Sequence, residues 1–401
     1  MHIYPDALAV VRDLRPDEPV ILNRPHAARR AARFFVEKFP GKVLYAVKAN
    51  PAPDLIEVLW SAGVTHYDVA SITEVRLVRG ILPEAVLCFM HPVKTPAAIR
   101  EAYFDHGVRT FSLDTVEELE KIVAACTDPA TGEAPRDLRL CVRLRVSSEY
   151  SELSLASKFG CDLIEAPQLL QQARQHCDWL GVCFHVGSQA MTPFAFVQAL
   201  DRTRAAIAEA SVVIDMIDVG GGFPSAYPGL EPPPMEDYFA IIAKHFESLP
   251  IAYNAELWCE PGRALCAEYS SLIVRVERRR EDELFINDGA YGALFDAAHL
   301  GWRFPVRLLR EPMSNTRDMA FSFYGPTCDD LDHMAGPFML PADVRAGDYL
   351  EIGMLGAYGA AMRTGFNGFG AAETIIVDDE PMVSMYGVAP VEAVPANVVT
   401  L

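Results

Sequence analysis

The sequence has 401 residues, of which 51% are hydrophobic and 22% charged, so we expect two domains with sizeable cores. Its formal net charge of −19 makes nucleic acid and anionic membrane surfaces poor partners, and it would favour the approach of a cationic small molecule. No apolar run is long enough to span a bilayer, and the N-terminal residues carry charges and prolines where a signal peptide is apolar. The cysteines number nine, an odd count without a CxxC pair, which predicts neither a disulfide framework nor a metal site and favours a cytoplasmic location.

Short apolar runs alternate with amphipathic, helix-like segments between about residue 40 and residue 263. The eight runs are 43–49, 66–71, 85–90, 109–114, 139–146, 180–187, 216–222 and 257–263. This alternation predicts a parallel α/β sheet, and eight strands are the number that closes a (β/α)8 barrel of the TIM type. A doubly wound sheet is the alternative. Against it, no G-x-G-x-x-G turn follows the first strand, and polar or glycine residues gather at the C-terminal strand ends, where barrel enzymes place their active sites.

The sequence changes character after about residue 265. Short β-like runs are separated by Gly, Pro and Asp; they are 271–280, 283–288, 347–353, 373–379 and 381–387. These runs predict a separate all-β domain. We therefore place the barrel at residues 21–265 and the β domain at residues 266–401, together with part of 1–20.

Two predicted strand ends carry a lysine and a run of glycines. Lys48 lies near the end of an apolar strand in YAVKAN. It could be a structural lysine that extends to solvent or pairs with an acid, or a catalytic lysine whose neutral amine attacks a carbonyl group. Glycines 220–222 in DVGGGFP could form an ordinary flexible turn. Their backbone N–H groups could instead converge on a phosphate.

Two more strand ends carry groups suited to an aromatic cofactor. His185 follows VCF and could be a satisfied core histidine, or it could lie on a cofactor ring with Ser188 reaching a phosphate. Glu260 and Arg263 in EPGR could simply pair with each other. Alternatively, Glu260 could hold a proton on a pyridine nitrogen while Arg263 binds phosphate oxygens.

YAVKAN, HVGSQ, DVGGGFP and EPGR occur in an order and at separations that resemble the fold-type III, group IV decarboxylases, which use pyridoxal 5′-phosphate. That family acts on ornithine, lysine, arginine or diaminopimelate. The segment GPTCDDLD (325–332) resembles the ornithine/lysine decarboxylases, whereas diaminopimelate enzymes usually carry CES there, and segments 356–358 and 366–369 match the family as well. The resemblance covers about residues 40–370 and implies an alanine racemase-like fold and a homodimer with shared active sites.

The resemblance implies a role for each matched residue. Lys48 would bind the cofactor as a Schiff base, His185 would stack on its ring, and Glu260 would pair with the pyridine nitrogen. Cys328 would return the proton to Cα after CO₂ leaves, and Asp329 would bind the substrate's distal amine, both from the partner subunit. The remaining implied contacts are Ser188, Gly221, Gly222, Arg263 and Tyr358 to the phosphate, Asp68 near the Schiff base, Arg145 on the cofactor side, and Phe366 at the shared interface.

The resemblance favours ornithine, lysine or both as substrate, which would yield putrescine or cadaverine for polyamine biosynthesis. In eukaryotic-type ornithine decarboxylases an acid that binds the distal amine stands where this sequence has Leu300. Asp296 or Asp330 could take over that role, so diaminopimelate, arginine and carboxynorspermidine stay as alternative substrates.

Two other functions compete with decarboxylation. A fold-related racemase would carry an arginine at the pyridine nitrogen, and Glu260 argues against it. A non-catalytic homologue that binds a protein partner would be expected to lose Lys48 or Cys328, and both residues are present.

Overall fold

The computed structural model describes residues 2–135, 137–147, 149–251 and 253–387, so the end of the predicted β domain, residues 388–401, lies outside the described residues. The chain forms two compact units. The barrel unit comprises the described residues of Ala28–Ser225 and Glu231–Cys266, and the β unit comprises those of Met1–Ala27, Ala226–Leu230 and Ala267–Leu401. Nowhere in these described ranges is a helix both long and apolar enough to cross a membrane.

Helices and strands are numbered in chain order. The helices are α1 (Ala7–Leu14), α2 (Pro25–Lys38), α3 (Pro53–Ser61), α4 (Ile72–Ile81), α5 (Pro96–Phe104), α6 (Val116–Cys126), α7 (Ala166–Arg174), α8 (Phe194–Ala210), α9 (Met235–Glu247), α10 (Arg263–Cys266) and α11 (Phe295–His299). The strands are β1 (Ile3–Tyr4), β2 (Val20–Asn23), β3 (Lys42–Ala46), β4 (His66–Val69), β5 (Val86–Phe89), β6 (Thr110–Leu113), β7 (Arg139–Arg143), β8 (Ser151–Leu153), β9 (Trp179–Cys183), β10 (Ser188–Ala190), β11 (Met216–Asp218), β12 (Glu256–Cys259), β13 (Ser270–Arg280), β14 (Glu283–Ile286), β15 (Val306–Leu309), β16 (Asp318–Tyr324), β17 (His333–Pro341), β18 (Tyr349–Ile352) and β19 (Glu373–Val377).

The barrel unit contains a closed barrel of eight parallel strands. Their order around the barrel is β11, β12, β3, β4, β5, β6, β7 and β9. Each of these strands lies within or next to one of the eight predicted runs, so the predicted (β/α)8 barrel is confirmed. The barrel core packs the buried side chains Leu44, Cys88, Met90, Cys141, Cys183, Met216 and Trp258.

Capped helix starts define several loops at the C-terminal face of the barrel. Ser71, Thr95 and Thr115 each accept a hydrogen bond from the backbone N–H three residues later, at the first turns of α4, α5 and α6. Because all barrel strands run in parallel, their C-terminal ends meet at one face. The side chains that follow β3, β9, β11 and β12 are therefore brought to the same region of the barrel unit.

The β unit is a sheet in which most neighbouring strands are antiparallel. Its strand order is β1, β19, β2, β13, β14, β16 and β17, with β18 pairing both β13 and β15. Helix α1 packs Val10 against the sheet in a buried cluster that includes Leu22 and Ile273. Because β2 pairs with β13 and β19, residues 21–27 belong to this unit, although the sequence-based boundary places them with the barrel.

A buried ion network ties the sheet of the β unit together. The fully buried Glu351 on β18 pairs with Arg24 at 2.9 Å, and Arg24 pairs with Asp379 at 2.8 Å. Burial opposes ionisation of Glu351, but Arg24 and Arg307 outweigh it, so the pKa of this carboxyl is lowered. The network joins β2, β18 and the segment after β19.

Candidate active site

A pocket of about 350 Å³ lies in the barrel unit. It brings together the predicted residues Lys48, Asp68, His185 and Glu260. Asp68 lies on β4, and the other three residues follow the ends of β3, β9 and β12, so their convergence follows from the parallel closure of the barrel. The rest of the described lining is Ala70, Met90, His91, Arg143, Ser154, Leu155, Ser157, Lys158 and Phe159.

Lys48 and Asp68 form an ion pair in this pocket. Lys48 lies in the short 3₁₀ turn Val47–Ala49 directly after β3, and its Nζ is 3.1 Å from Oδ2 of Asp68 on the neighbouring strand β4. The Asp68 side chain is 3% exposed, whereas that of Lys48 is 42% exposed. The amine therefore reaches the pocket while the carboxylate stays beneath it, which suits an amine that must bond to a carbonyl group.

His185 presents a neutral imidazole to the pocket. Burial lowers the pKa of His185 well below its ordinary value, and the charges of Arg143 and Lys48 lower it further. The backbone N–H of Gly187 donates to Nδ1 of His185 at 3.1 Å, which fixes the orientation of the ring. A neutral, oriented ring of this kind can lie against another aromatic ring.

The triple-glycine turn after β11 has room only for glycine. Gly220 and Gly222 have φ values of +69° and +99°, and a Cβ on Gly221 would lie 3.0 Å from Nε2 of His185 and 2.9 Å from the Glu260 carbonyl oxygen. The turn therefore passes directly beside two other predicted site residues. Its close backbone approach fits the binding of an anion through N–H groups.

Ser188 lies next to the triple-glycine turn because the two residues after it, Gln189 and Ala190, form hydrogen bonds with residues 222–225. The Gln189 side chain donates to the Ser225 carbonyl oxygen and accepts from the Ser225 N–H at 3.0 Å. The N–H of Ala190 donates to the Gly222 carbonyl oxygen at 2.9 Å. Arg263, also predicted to bind phosphate, is buried and begins α10 in the same unit.

Glu260 is a buried carboxyl group that faces the pocket. Its Oε1 is inaccessible to solvent and has no hydrogen-bond partner among the described residues. Burial raises the pKa of Glu260 well above its ordinary value, and the nearby carboxyls of Asp218 and Asp68 add to the shift, which Lys48 opposes. An unpaired buried oxygen is costly unless a ligand donor completes it, so Glu260 is prepared for a donor from a bound molecule.

Arg143 lines the pocket, whereas the predicted cofactor-side arginine, Arg145, is not among the residues that the described lining contains. The Arg145 guanidinium instead pairs with Asp162 at 3.2 Å, in a position where both side chains are largely exposed. Arg143 ends β7 and lines the pocket, with its guanidinium 5.6 Å from the Phe159 ring. The two arginines differ because the strand ends between them, which turns the second side chain away from the barrel.

A second group of predicted residues lies together in the β unit, and we call Tyr291, Cys328, Asp329 and Phe366 the Cys328 cluster. Cys328 is exposed, and its N–H donates to the Asn367 side chain at 3.1 Å. The ring of Phe366 lies 4.7 Å from that of Tyr291. Segments that are almost forty residues apart in sequence therefore meet around Cys328.

Asp329 is held as a carboxylate by hydrogen bonds. The Tyr291 hydroxyl donates to Oδ2 of Asp329, and the Leu331 N–H donates to Oδ1 at 3.0 Å. The first bond is the larger cause of the lowered pKa of Asp329. Tyr291 was not predicted as a site residue, although it lies only five residues before the predicted Asp296.

Asp332 stabilises the turn that carries Cys328 through hydrogen bonds to its backbone. This buried carboxylate accepts from the backbone N–H groups of Ala290 and Thr327 at 2.7 and 3.0 Å. The turn borders an open pocket of about 730 Å³ in the β unit. The carboxylates lining this pocket are Asp17, Glu18, Glu277, Asp329, Asp330 and Asp332.

Two further residues predicted for cofactor or substrate binding, Asp296 and Tyr358, also lie in the β unit. Asp296 is on the short helix α11, and Leu300 follows the end of that helix. Tyr358 has a left-handed backbone conformation, with φ of 62°. The substrate contact of Asp296 and the phosphate contact of Tyr358 stay predictions.

Known proteins resemble this chain over most of its length. Residues 26–267 match a family described as pyridoxal-dependent decarboxylase, pyridoxal binding domain. The chain is 31% identical to the lysine/ornithine decarboxylase of Selenomonas ruminantium over 355 aligned residues. The alignment covers 84% of this chain and 84% of that protein.

Two solved structures resemble it as well. The arginine decarboxylase of Paramecium bursaria Chlorella virus, bound to agmatine, has a TM-score of 0.80 at 26% identity and covers 92% of this chain and 98% of its own. The lysine/ornithine decarboxylase of Vibrio vulnificus, complexed with putrescine, has a TM-score of 0.76 at 28% identity and covers 93% of this chain and 99% of its own.

Proposed function

Because the chain belongs to the family of pyridoxal-dependent decarboxylases, we propose that it removes CO₂ from ornithine, lysine or both and forms putrescine or cadaverine. The observation that carries the choice of reaction is the buried Glu260 carboxyl in the same pocket as Lys48. A carboxyl opposite a pyridine nitrogen keeps that nitrogen protonated and favours electron withdrawal into the ring. An arginine at that place, as expected for a racemase, would weaken the effect.

The barrel pocket fits pyridoxal phosphate. The unpartnered oxygen of Glu260 suits the pyridine nitrogen, and the neutral His185 suits contact with the ring. The glycine turn at Gly221 and Gly222, with Ser188 beside it, suits the phosphate, which Arg263 would help to hold. When bound, pyridoxal phosphate supplies an electron sink for the pair of electrons left behind by the departing carboxylate.

The residues of the pocket have separate tasks in this reaction. Lys48 would hold the cofactor through its Nζ, and Asp68 orients that Nζ through the ion pair. Arg143 supplies positive charge at the pocket wall, and Glu260 holds the ring nitrogen's proton.

We place the Cys328 cluster of one subunit at the barrel pocket of its partner in a homodimer. Cys328 is exposed, and the neighbouring side chains of Leu331 and Phe366 are 65% and 41% exposed, which suits an interface. Cys328 would return a proton to Cα after CO₂ leaves. Phe366 would line the shared interface.

A carboxylate in the Cys328 cluster supports a substrate with a distal cation. The Tyr291 hydrogen bond keeps Asp329 ionised, and the other carboxylates of the adjoining pocket add negative charge. Leu300 stands where the family has an acid that binds the distal amine. Asp329, with help from Asp296 or Asp330, would therefore bind the distal amine and select substrates by their length. Arginine, diaminopimelate and carboxynorspermidine are the alternative substrates.

A substrate panel tests the proposal. Purified protein loaded with pyridoxal phosphate is given ornithine, lysine, arginine, diaminopimelate or carboxynorspermidine, and CO₂ release and optical rotation are both measured. We expect CO₂ release to be fastest with ornithine or lysine. Loss of optical rotation without CO₂ would indicate a racemase, and cofactor binding with neither change would indicate a non-catalytic homologue.

We also propose that the enzyme works in the cytoplasm. The cysteines are free, and all except Cys328 are buried. A reducing compartment would keep the exposed Cys328 thiol available as a proton donor.

A further inference from the structure

Asp218 is a buried carboxyl to which the proposed function gives no role. It ends β11, directly before the triple-glycine turn, and it is 0% exposed. Its Oδ1 accepts from the Gly220 N–H at 2.8 Å, whereas its Oδ2 is buried without a hydrogen-bond partner among the described residues. A carboxylate half-satisfied in this way is costly to bury.

The strand register brings Asp218 beside Glu260. On the parallel pair β11 and β12, Asp218 lies opposite Trp258, and the Glu260 N–H donates to the Gly220 carbonyl oxygen at 2.8 Å. The two carboxyl groups lie close enough for a proton on either one to bridge them. Glu260 lines the pocket while Asp218 lies beneath it, so the pair has an outer and an inner member.

The surroundings of the pair contain little positive charge. The thiols of Cys88, Cys141, Cys183 and Cys259 lie around it on β5, β7, β9 and β12, and Asp68 on β4 adds a further carboxylate. Lys48 is the cation that acts on Glu260. Two carboxylates in contact cannot both stay ionised in such a place, since each penalises the charge of the other.

We propose that Asp218 and Glu260 share one proton, and that Asp218 is the positioning residue which, as a neutral acid, donates to Glu260 and aims it at the cofactor's pyridine nitrogen. This inference rests on the proposed function, because it assigns Glu260 to that nitrogen. With the ring nitrogen's proton opposite Glu260, the shared proton stays on Asp218. The opposite arrangement would place two negative charges side by side in the barrel.

The directions of the pKa shifts support the retention of one proton by this pair. Burial raises the pKa of Asp218 to about 7, and burial together with Asp218 raises the pKa of Glu260 well above its ordinary value. At neutral pH the pair therefore retains a proton that an exposed pair of carboxyls would have lost.

Infrared spectroscopy of the pyridoxal-phosphate-loaded protein at pH 8 tests the proton directly. Ordinary carboxyls are ionised at that pH, so the C=O stretch of a protonated carboxyl reports only groups with a raised pKa. We expect the wild-type minus Asp218→Asn difference spectrum to contain this band. The control is Asp215→Asn, just before β11, because the Asp215 carboxylate pairs with Arg174 at 2.6 Å and should contribute no such band.

Cofactor affinity tests the positioning role. Asp218→Ala should weaken binding of pyridoxal phosphate by about 10- to 100-fold, which is the usual effect of losing a hydrogen bond to a charged group. Asp218→Asn should restore most of that affinity, because its amide donates to Glu260 and its oxygen still accepts from Gly220. A wild-type protein without the difference band, or equal affinities of the two variants, would overturn the inference.

The proposed function fails in a different way. A protein that shows the difference band and binds the cofactor, but releases no CO₂ from any amino acid of the panel, would contradict the proposed substrate reaction alone. If Asp218→Ala does not fold, the spectrum of wild type against Asp218→Asn still decides the location of the proton.

Discussion

The polar groups of the barrel pocket lie at the ends of buried strands, whereas those of the Cys328 cluster lie on exposed turns of the β unit. In the barrel, burial is the largest cause of the shifted pKa values of His185 and Glu260. In the Cys328 cluster, a hydrogen bond from Tyr291 is the largest cause of the lowered pKa of Asp329. The protonation states of the barrel pocket are therefore determined by burial, and that of Asp329 by a few hydrogen bonds at the surface.

This difference indicates how the two sites divide the chemistry. Groups that stay in one protonation state throughout, such as a neutral imidazole or a carboxyl opposite a ring nitrogen, are suited to a buried pocket. A thiol that gives a proton and a carboxylate that meets a mobile cation need access, which exposed turns provide. Variants that affect only one of the two sites therefore test this division of roles.

The largest effect is expected for Lys48→Ala. Loss of the amine removes the bond to the cofactor, so turnover and the near-UV or visible absorbance band of the lysine-bound cofactor should both disappear. Absorbance spectra and CO₂ release check this together. The control is Lys42→Ala, which removes an exposed lysine paired with Glu256 and should leave both properties intact. Normal activity of Lys48→Ala would refute the role of the barrel pocket.

Cys328→Ala should affect turnover without affecting cofactor binding. Loss of a positioned proton donor lowers kcat by roughly 10²- to 10⁴-fold. The affinity for pyridoxal phosphate should not change, because no residue of the barrel pocket is altered. Spectrophotometric titration with the cofactor and steady-state kinetics separate the two effects. A variant that loses cofactor affinity instead would show that Cys328 is structural.

The two arginines near the end of β7 should behave differently. Arg143→Ala should weaken cofactor binding by about tenfold or more, since it removes a charge from the pocket wall. Arg145→Ala loses only an exposed pair with Asp162, worth about 1 kcal/mol or less. Fluorescence titration with pyridoxal phosphate measures both, and equal affinities would contradict the assignment of Arg143.

Tyr291→Phe should change the pH dependence of substrate use. The Tyr291 hydroxyl lowers the pKa of Asp329, so its removal raises that pKa and the carboxylate is protonated earlier as the pH falls. The acidic limb of the kcat/KM profile should therefore move to higher pH, with little change at neutral pH. Tyr324→Phe is the matched control, because Tyr324 lines the same β-unit pocket and stacks on Phe285. An unshifted profile would mean that Asp329 does not bind the substrate's cation.

The barrel could be predicted from the sequence because each strand is an apolar run that ends in a polar or glycine residue. Lys48 and Glu260 mark the ends of two such runs, and the closure of eight parallel strands is enough to bring them together. The segments that carry Cys328, Asp329 and Phe366 were identified differently, through their resemblance to motifs of the family.

The remaining contacts depend on geometry that a sequence pattern does not encode. Arg143, and not Arg145, lines the pocket because β7 ends at Arg143. Asp218 lies beside Glu260 because of the register between β11 and β12. Residues 21–27 join the β unit only because β2 pairs with strands more than two hundred residues away. Each of these features follows from long-range pairing.

Mixing two inactive variants tests most directly whether the barrel pocket and the Cys328 cluster form one site across two chains. Lys48→Ala and Cys328→Ala proteins are mixed in equal amounts, subunits are allowed to exchange, and CO₂ release is measured. In a symmetric dimer, random exchange gives half of the dimers one chain of each kind, and each hybrid has one intact site, so activity should recover to about a quarter of wild type. Demonstrated subunit exchange without any recovery of activity would contradict the shared site.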